Sequence, residues 1–113
     1  QIWKTYNQAL NIWANEQDIE LPYLPNFATN NAHMFYLVCK NIEQCNELIT
    51  HLKLSQVSAV FHYLSLHKSE FYNDKHDGRC LPETDIYSDC LVRLPLFYEL
   101  DTSEVLKNIL TFN

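Results

Sequence analysis

Gly78 is the only glycine in 113 residues. Loops that cradle phosphate, and the fingerprints that bind dinucleotides, need several glycines so that the backbone can approach the phosphates closely. A strained nucleophile elbow of the GxSxG kind needs two. This chain therefore predicts neither a P-loop enzyme, nor a dinucleotide-binding domain, nor a serine hydrolase of that type.

The hydrophobic fraction of 47% and aromatic fraction of 13% are those of a chain that folds, and its length suits one compact core. A single domain over residues 1–113 is expected. Eight Lys plus Arg against fourteen Asp plus Glu give a formal charge of -6, with no basic cluster. Such a domain is repelled by nucleic acid and by anionic membranes, so no nucleic-acid or membrane partner is expected. No apolar run approaches the roughly 20 residues of a bilayer span, and no signal pattern opens the chain. It begins at Gln1 on an amphipathic segment, as a piece of a longer chain would.

Ile2, Trp3, Tyr6, Leu10 and Trp13 recur at helical spacing and predict a helix ending near Asn15. The aromatic members form either core or a surface meant for another domain. Residues 16–31, with Pro22 and Pro25, read as an extended connection. The run AHMFYLVC, from Ala32 to Cys39, predicts a strand covered on both faces and central to its sheet. Ile42, Cys45, Leu48, Ile49 and Leu52 predict a helix capped by Asn41, and Val57 to Tyr63 a second strand. A long polar loop over 65–82 follows, the first place to look for a site.

A short helix over Glu83–Leu91, a strand over Val92–Leu94 and a helix over Thr102–Phe112 complete the chain, with Asp101 and Glu104 placed as a capping box. Glu83, Asp85 and Asp89 suit the positive end of the short helix. The order predicts an α+β fold: a small mixed or antiparallel sheet of about three strands with helices packed mainly on one face.

Cys39, Cys45, Cys80 and Cys90 lack the close pairs of zinc or redox motifs, and three lie in apolar-periodic segments. Buried reduced thiols are expected, and with them a cytoplasmic location. Of the histidines, His33 reads as a core group and His51 and His76 as surface residues. His62 and His67, in the stretch VFHYLSLH, have three readings: structural groups, contacts to a substrate hydroxyl or phosphate, or metal ligands.

IELPYLP at 19–25, NAHMFYLV at 31–38, VSAVFHYLSLH at 57–67 and RLPLFYEL at 93–100 together resemble the C-terminal segment of the DegT-like sugar aminotransferases of fold type I. The resemblance runs over nearly the whole chain and is nearest to members that aminate a dTDP-linked 4-keto-6-deoxyglucose in bacterial surface-polysaccharide (lipopolysaccharide) synthesis. It implies a longer enzyme that uses pyridoxal phosphate to move an amino group from L-glutamate to a nucleotide-linked keto-sugar, working as a homodimer. The cofactor would be bound by a large domain that this chain lacks, leaving no catalytic and no cofactor-binding residue here. None of the six lysines sits in a matching motif. The resemblance places His62, Tyr63 and His67 on the substrate side of the cleft, and an inactive fragment is expected. A non-catalytic interaction module is the alternative that the residues leave open.

Overall fold

In the computed structural model, which describes residues 1–113, the helical stripe at the start of the chain is core. It forms two short helices, α1 (Ile2–Ala9) and α2 (Asn11–Glu16), rather than one. Leu10 at the break is fully buried, and one stripe runs through both helices. The polar ends of the large rings find partners, as buried rings of this kind require. Tyr6 Oη donates to the Pro95 carbonyl at 2.8 Å, and Trp13 Nε1 donates to the Phe112 carbonyl at 3.0 Å.

The helix α3 (Ile42–Leu54) starts where expected, because the Asn41 side chain accepts from Gln44 N at 2.8 Å. Gln44 is itself a buried polar group whose partners the sequence did not announce. Its Oε1 accepts from Lys40 N at 2.9 Å and its Nε2 donates to the Gln17 carbonyl at 2.7 Å. That second bond joins the end of α2 to the start of α3.

The end of α3 shows how the chain manages with one glycine. Gln56 adopts φ 61°, Gln56 N bonds Lys53 O at 3.0 Å, and Val57 N bonds Leu52 O at 2.9 Å. This is the helix-ending double bond that normally recruits glycine. Asp18, at φ 57°, ends α2 in the same way, with Ile19 N on Ala14 O at 2.8 Å. A side chain in this left-handed region costs about 1 kcal/mol. Gln56→Gly is therefore expected to stabilise the fold by about that amount, read as a rise in the urea midpoint with an unchanged slope; no rise would show that the strain is relieved elsewhere.

Three strands form one antiparallel sheet in the order β1-β3-β2: β1 (Phe35–Val38), β2 (Val60–Phe61) and β3 (Leu91–Leu94). The apolar run that predicted a central strand is thus an edge strand, and β3 is the centre. The outer edge of β1 is closed only by a bridge in which Glu20 and Val38 exchange bonds at 2.9 and 3.0 Å. The apolarity of β1 reflects the burial of Phe35, Leu37 and Val38, not the pairing of both edges.

Nor does β1 begin at Ala32. That residue has φ 51°, and the Asn30 and Asn31 side chains accept from the amides of Ala32 and His33, turns that asparagine favours. His33 is consequently exposed, not a core group. The strand expected over Val57–Tyr63 shrinks to two residues because its partner runs out. Val60 faces Arg93 and Phe61 faces Val92, and beyond Leu91 the neighbouring chain is already helix.

Strand alternation divides the sheet into two faces. Phe35, Leu37, Val92 and Leu94 share one, all nearly inaccessible, and Trp3 and Tyr6 pack on Phe35. Tyr36 and Arg93 share the other and are only half-buried. Two helices complete the fold, α4 (Pro82–Cys90) and α5 (Thr102–Ile109). The Asp101 carboxylate accepts from Ser103 N at 2.9 Å and Ser103 Oγ at 2.6 Å, while Glu104 lies 3.7 Å from Lys107, so the expected reciprocal box is only half made. His51, expected on the surface, is half-buried. Its Nε2 donates to the Asn108 carbonyl at 2.8 Å and fastens α3 to the end of α5.

Candidate functional site

The half-buried face of the sheet, the segment after β2 and the start of α4 enclose an open depression of about 530 Å³. Each element contributes by its own period. From β1, alternation aims Tyr36 to this side. From α4, Glu83, Thr84, Tyr87 and Ser88 line it, positions one helical turn apart on one face. From the segment after β2 come His62, Tyr63 and Ser65.

Two polar atoms at this depression are buried without a protein partner, His62 Nδ1 and Ser65 Oγ. Buried polar groups are nearly always hydrogen-bonded, and an unmade bond costs about 1–3 kcal/mol. Ser65 is only 6% exposed, so its hydroxyl is not simply solvated. Burial, helped by the charge of Arg93, lowers the pKa of His62. Its ring is thereby neutral at physiological pH, able to donate from one nitrogen and accept at the other. The His62 and Tyr63 rings lie 4.2 Å apart. Burial likewise raises the Tyr36 pKa, with Tyr87 and Glu20 adding to the effect, so Tyr36 is a neutral hydroxyl. A second depression, of about 660 Å³, lies between α1 and residues 96–102, but no buried, unpartnered side-chain atom lines it.

His67 is not brought together with His62. It sits on a 3-10 turn, Leu66–Lys68, with Nε2 3.0 Å from Asp85 Oδ1 on α4. Lys68 Nζ reaches the same oxygen at 2.7 Å and Asp89 at 3.7 Å. Asp89 thus serves as an ion-pair partner at the far end of α4, not as a group near its start. His76 is not a free surface residue either. Its ring packs 5.3 Å from that of His67, and its Nε2 donates to the Arg79 carbonyl. The segment over 65–82 is therefore folded and latched to α4. No cluster of three or more His, Cys, Asp or Glu side chains is arranged to hold a metal.

The Lys68 ammonium, with His67 beside it, holds the Asp85 carboxyl below its ordinary pKa. A depressed carboxyl pKa adds stability above the unfolded value of about 4 and loses it as pH falls further. Wild-type protein is therefore expected to lose more of its thermal midpoint between pH 6 and pH 3 than Asp85→Asn. Equal losses would show that the latch adds nothing.

Sequence reasoning found His62 and Tyr63 but not Tyr36, Ser65, Thr84 or Tyr87. The strand period could have flagged Tyr36, and the spacing of Thr84 and Tyr87 with Ser88 was readable on α4. Nothing in the sequence marks Ser65, because its burial depends on where α4 lies.

Over residues 1–111 the chain matches the DegT/DnrJ/EryC1/StrS aminotransferase family model. Solved structures share its fold. The aminotransferase TlmJ from Streptoalloteichus hindustanus matches with a TM-score of 0.79 at 20% identity, over 96% of this chain and 29% of that one. A DegT DnrJ EryC1 StrS aminotransferase from Brucella abortus matches at 0.72 and 23%, over 96% and 27%. NtdA from Bacillus subtilis, with bound cofactor PMP, matches at 0.75 and 23%, over 94% and 25%. The chain thus spans less than a third of the length of these proteins.

The α+β expectation holds, with the sheet antiparallel throughout. Pyridoxal phosphate, the cofactor that such a family implies, needs an amine for its Schiff base and cations or a helix end for its phosphate. No lysine or arginine lines the depression, and the start of α4 that borders it carries the acidic Glu83 and Asp85 in its first turn, so the residues present do not fit the cofactor. By its match over 1–111, the chain belongs to the DegT/DnrJ/EryC1/StrS aminotransferase family.

Proposed function

We propose that these residues form one wall of the substrate cleft in a pyridoxal-phosphate-dependent aminotransferase. That enzyme would move an amino group from L-glutamate to a keto-deoxysugar carried on a nucleotide, as in dTDP-4-amino-4,6-dideoxygalactose formation for bacterial surface polysaccharide. The cofactor, and the lysine that holds it, would belong to residues outside this chain. The whole enzyme would be a cytoplasmic homodimer, and the 113-residue stretch alone would be inactive.

One observation supports this reading above the others: the chemistry of the depression matches a neutral, hydroxyl-rich ring. Tyr36, Tyr63 and Tyr87 offer aromatic surface, Ser65 and Thr84 offer hydroxyls, and the lining has no cation for a phosphate. His62 and Tyr63 would touch the sugar. His67, held by Asp85, would act through the segment that it fixes in place.

The test uses the full-length protein with pyridoxal phosphate, L-glutamate and a dTDP-linked 4-keto-6-deoxyglucose. Formation of 2-oxoglutarate together with an aminated sugar nucleotide is expected, and neither product from the 113-residue chain. A full-length protein that binds no pyridoxal phosphate would overturn the reading in favour of an interaction module.

A further inference from the structure

Ser65 precedes the 3-10 turn Leu66–Lys68. From that position a serine hydroxyl ordinarily accepts a bond from an amide of the turn that follows. Here it does not: only the Ser65 carbonyl takes part, accepting from Lys68 N at 3.1 Å. The hydroxyl oxygen is shielded from solvent and has no partner, and the residue is 6% exposed.

The backbone that carries it is fixed from α4. Ser65 N donates to Ser88 Oγ at 3.3 Å, and two residues further on His67 is held by Asp85. The side chain keeps one rotation, about χ1, with three staggered positions. His62 Nδ1 is the other shielded atom without a partner, and both residues line the same depression.

Buried polar atoms are nearly always paired, so two that are not, on one wall, point to a ligand that brings polar groups to them. Glu83 is the only carboxylate in the lining, and no lysine or arginine joins it. A phosphate or carboxylate therefore meets no opposite charge here. A hydroxyl suits both atoms, since it donates and accepts, whereas a ring carbon bearing only hydrogen satisfies neither.

Resting on the reading of this depression as the sugar wall, we propose that Ser65, together with His62, determines specificity by bonding one of the two ring hydroxyls, at C2 or C3, that a 4-keto-6-deoxyhexose keeps. A sugar lacking that hydroxyl leaves the shielded atoms unpaired in the complex as well. Sites built to bond a hydroxyl reject the analogue without it far more strongly than apolar pockets reject a missing methylene.

The experiment compares full-length wild type with Ser65→Ala on dTDP-4-keto-6-deoxyglucose and on its 2-deoxy and 3-deoxy analogues, with urea midpoints measured alongside. Wild type should prefer the parent sugar over one analogue by at least about 100-fold in kcat/KM, and Ser65→Ala should cut that preference to about tenfold or less. Because the hydroxyl has no bond within the chain to lose, the urea midpoint of Ser65→Ala should not fall. A clearly lower midpoint would overturn the proposal by showing that the hydroxyl serves the fold, and so would equal discrimination by the two proteins. If Thr84→Trp, which fills the depression, suppresses activity while Ser65→Ala keeps the preference intact, the sugar wall stands and only the role of Ser65 fails. Activity that survives Thr84→Trp overturns the sugar wall, and this proposal with it.

Discussion

Phe35→Ala is expected to cost the fold about 3–5 kcal/mol, the usual range for deleting a fully buried ring. The Phe35 ring has no accessible surface and is held from two directions on α1. Trp3 approaches edge-on with ring centres 5.4 Å apart, and Tyr6 lies tilted at 5.2 Å. Aromatic pairs of this geometry add to the stabilisation expected from buried area alone. Tyr6 cannot easily shift to fill the space, because its hydroxyl is tied to the Pro95 carbonyl. The cavity should therefore stay open and the penalty should fall in the upper half of the range.

Total stabilities of domains are commonly 5–15 kcal/mol, so this one change would remove a large fraction. In urea the midpoint should fall with the slope unchanged, and Phe35→Leu should lose no more than about 1.5 kcal/mol. A loss below about 1 kcal/mol for the alanine variant would mean that the α1–β1 contact is peripheral. The loss would also reach the depression, since Tyr36 is the next residue on the same strand and points the opposite way.

Helices were legible where one chemical rule sufficed. The stripe of α1 and α2, the Asn41 cap and the apolar positions of α3 needed only local periodicity and a short polar side chain. The sheet was less legible because strand order is not a local property. AHMFYLVC and LVRL differ in how apolar they are, yet the strand carrying Arg93 is central and the apolar run is the edge. Arg93 is tolerated at the centre because it lies on the half-buried face, where a long side chain can keep its charged end near water. The four non-glycine residues in left-handed backbone, Asp18, Ala32, Gln56 and Glu99, were equally invisible: with so little glycine available, ordinary residues take up the strain.

The same distinction runs through the depression. His62 and Tyr63 stood out because they are adjacent in a distinctive block, and they do line it. His67 stood out for the same reason, but its partner Asp85 lies 18 residues further along the chain. A histidine's role depends on what faces it, and that is decided by where α4 packs. His51 and His76 were misplaced because local hydrophobicity ranks burial but does not identify a carbonyl or a second imidazole across the fold, and His33 because the asparagine turns before β1 leave it exposed.

Thr84→Trp tests the depression with the least disturbance to the fold. Thr84 is exposed on α4, and threonine and tryptophan have similar helix propensities, so stability should change by less than about 0.5 kcal/mol. The indole would project across an opening of about 530 Å³ and displace whatever rests on Tyr63 and Tyr87. If a sugar occupies that space, kcat/KM of the full-length enzyme for its sugar nucleotide should fall about 100-fold, or roughly 2.7 kcal/mol of lost transition-state binding. Affinity for pyridoxal phosphate should not change, because the depression has no group that holds it. Tyr63→Ala should lose about tenfold, since one exposed ring face is removed, and Thr84→Ser should behave as wild type. If Thr84→Trp kept kcat/KM within twofold while the protein remained folded, the depression would lie outside the substrate cleft, and the unpartnered Ser65 hydroxyl would need another explanation.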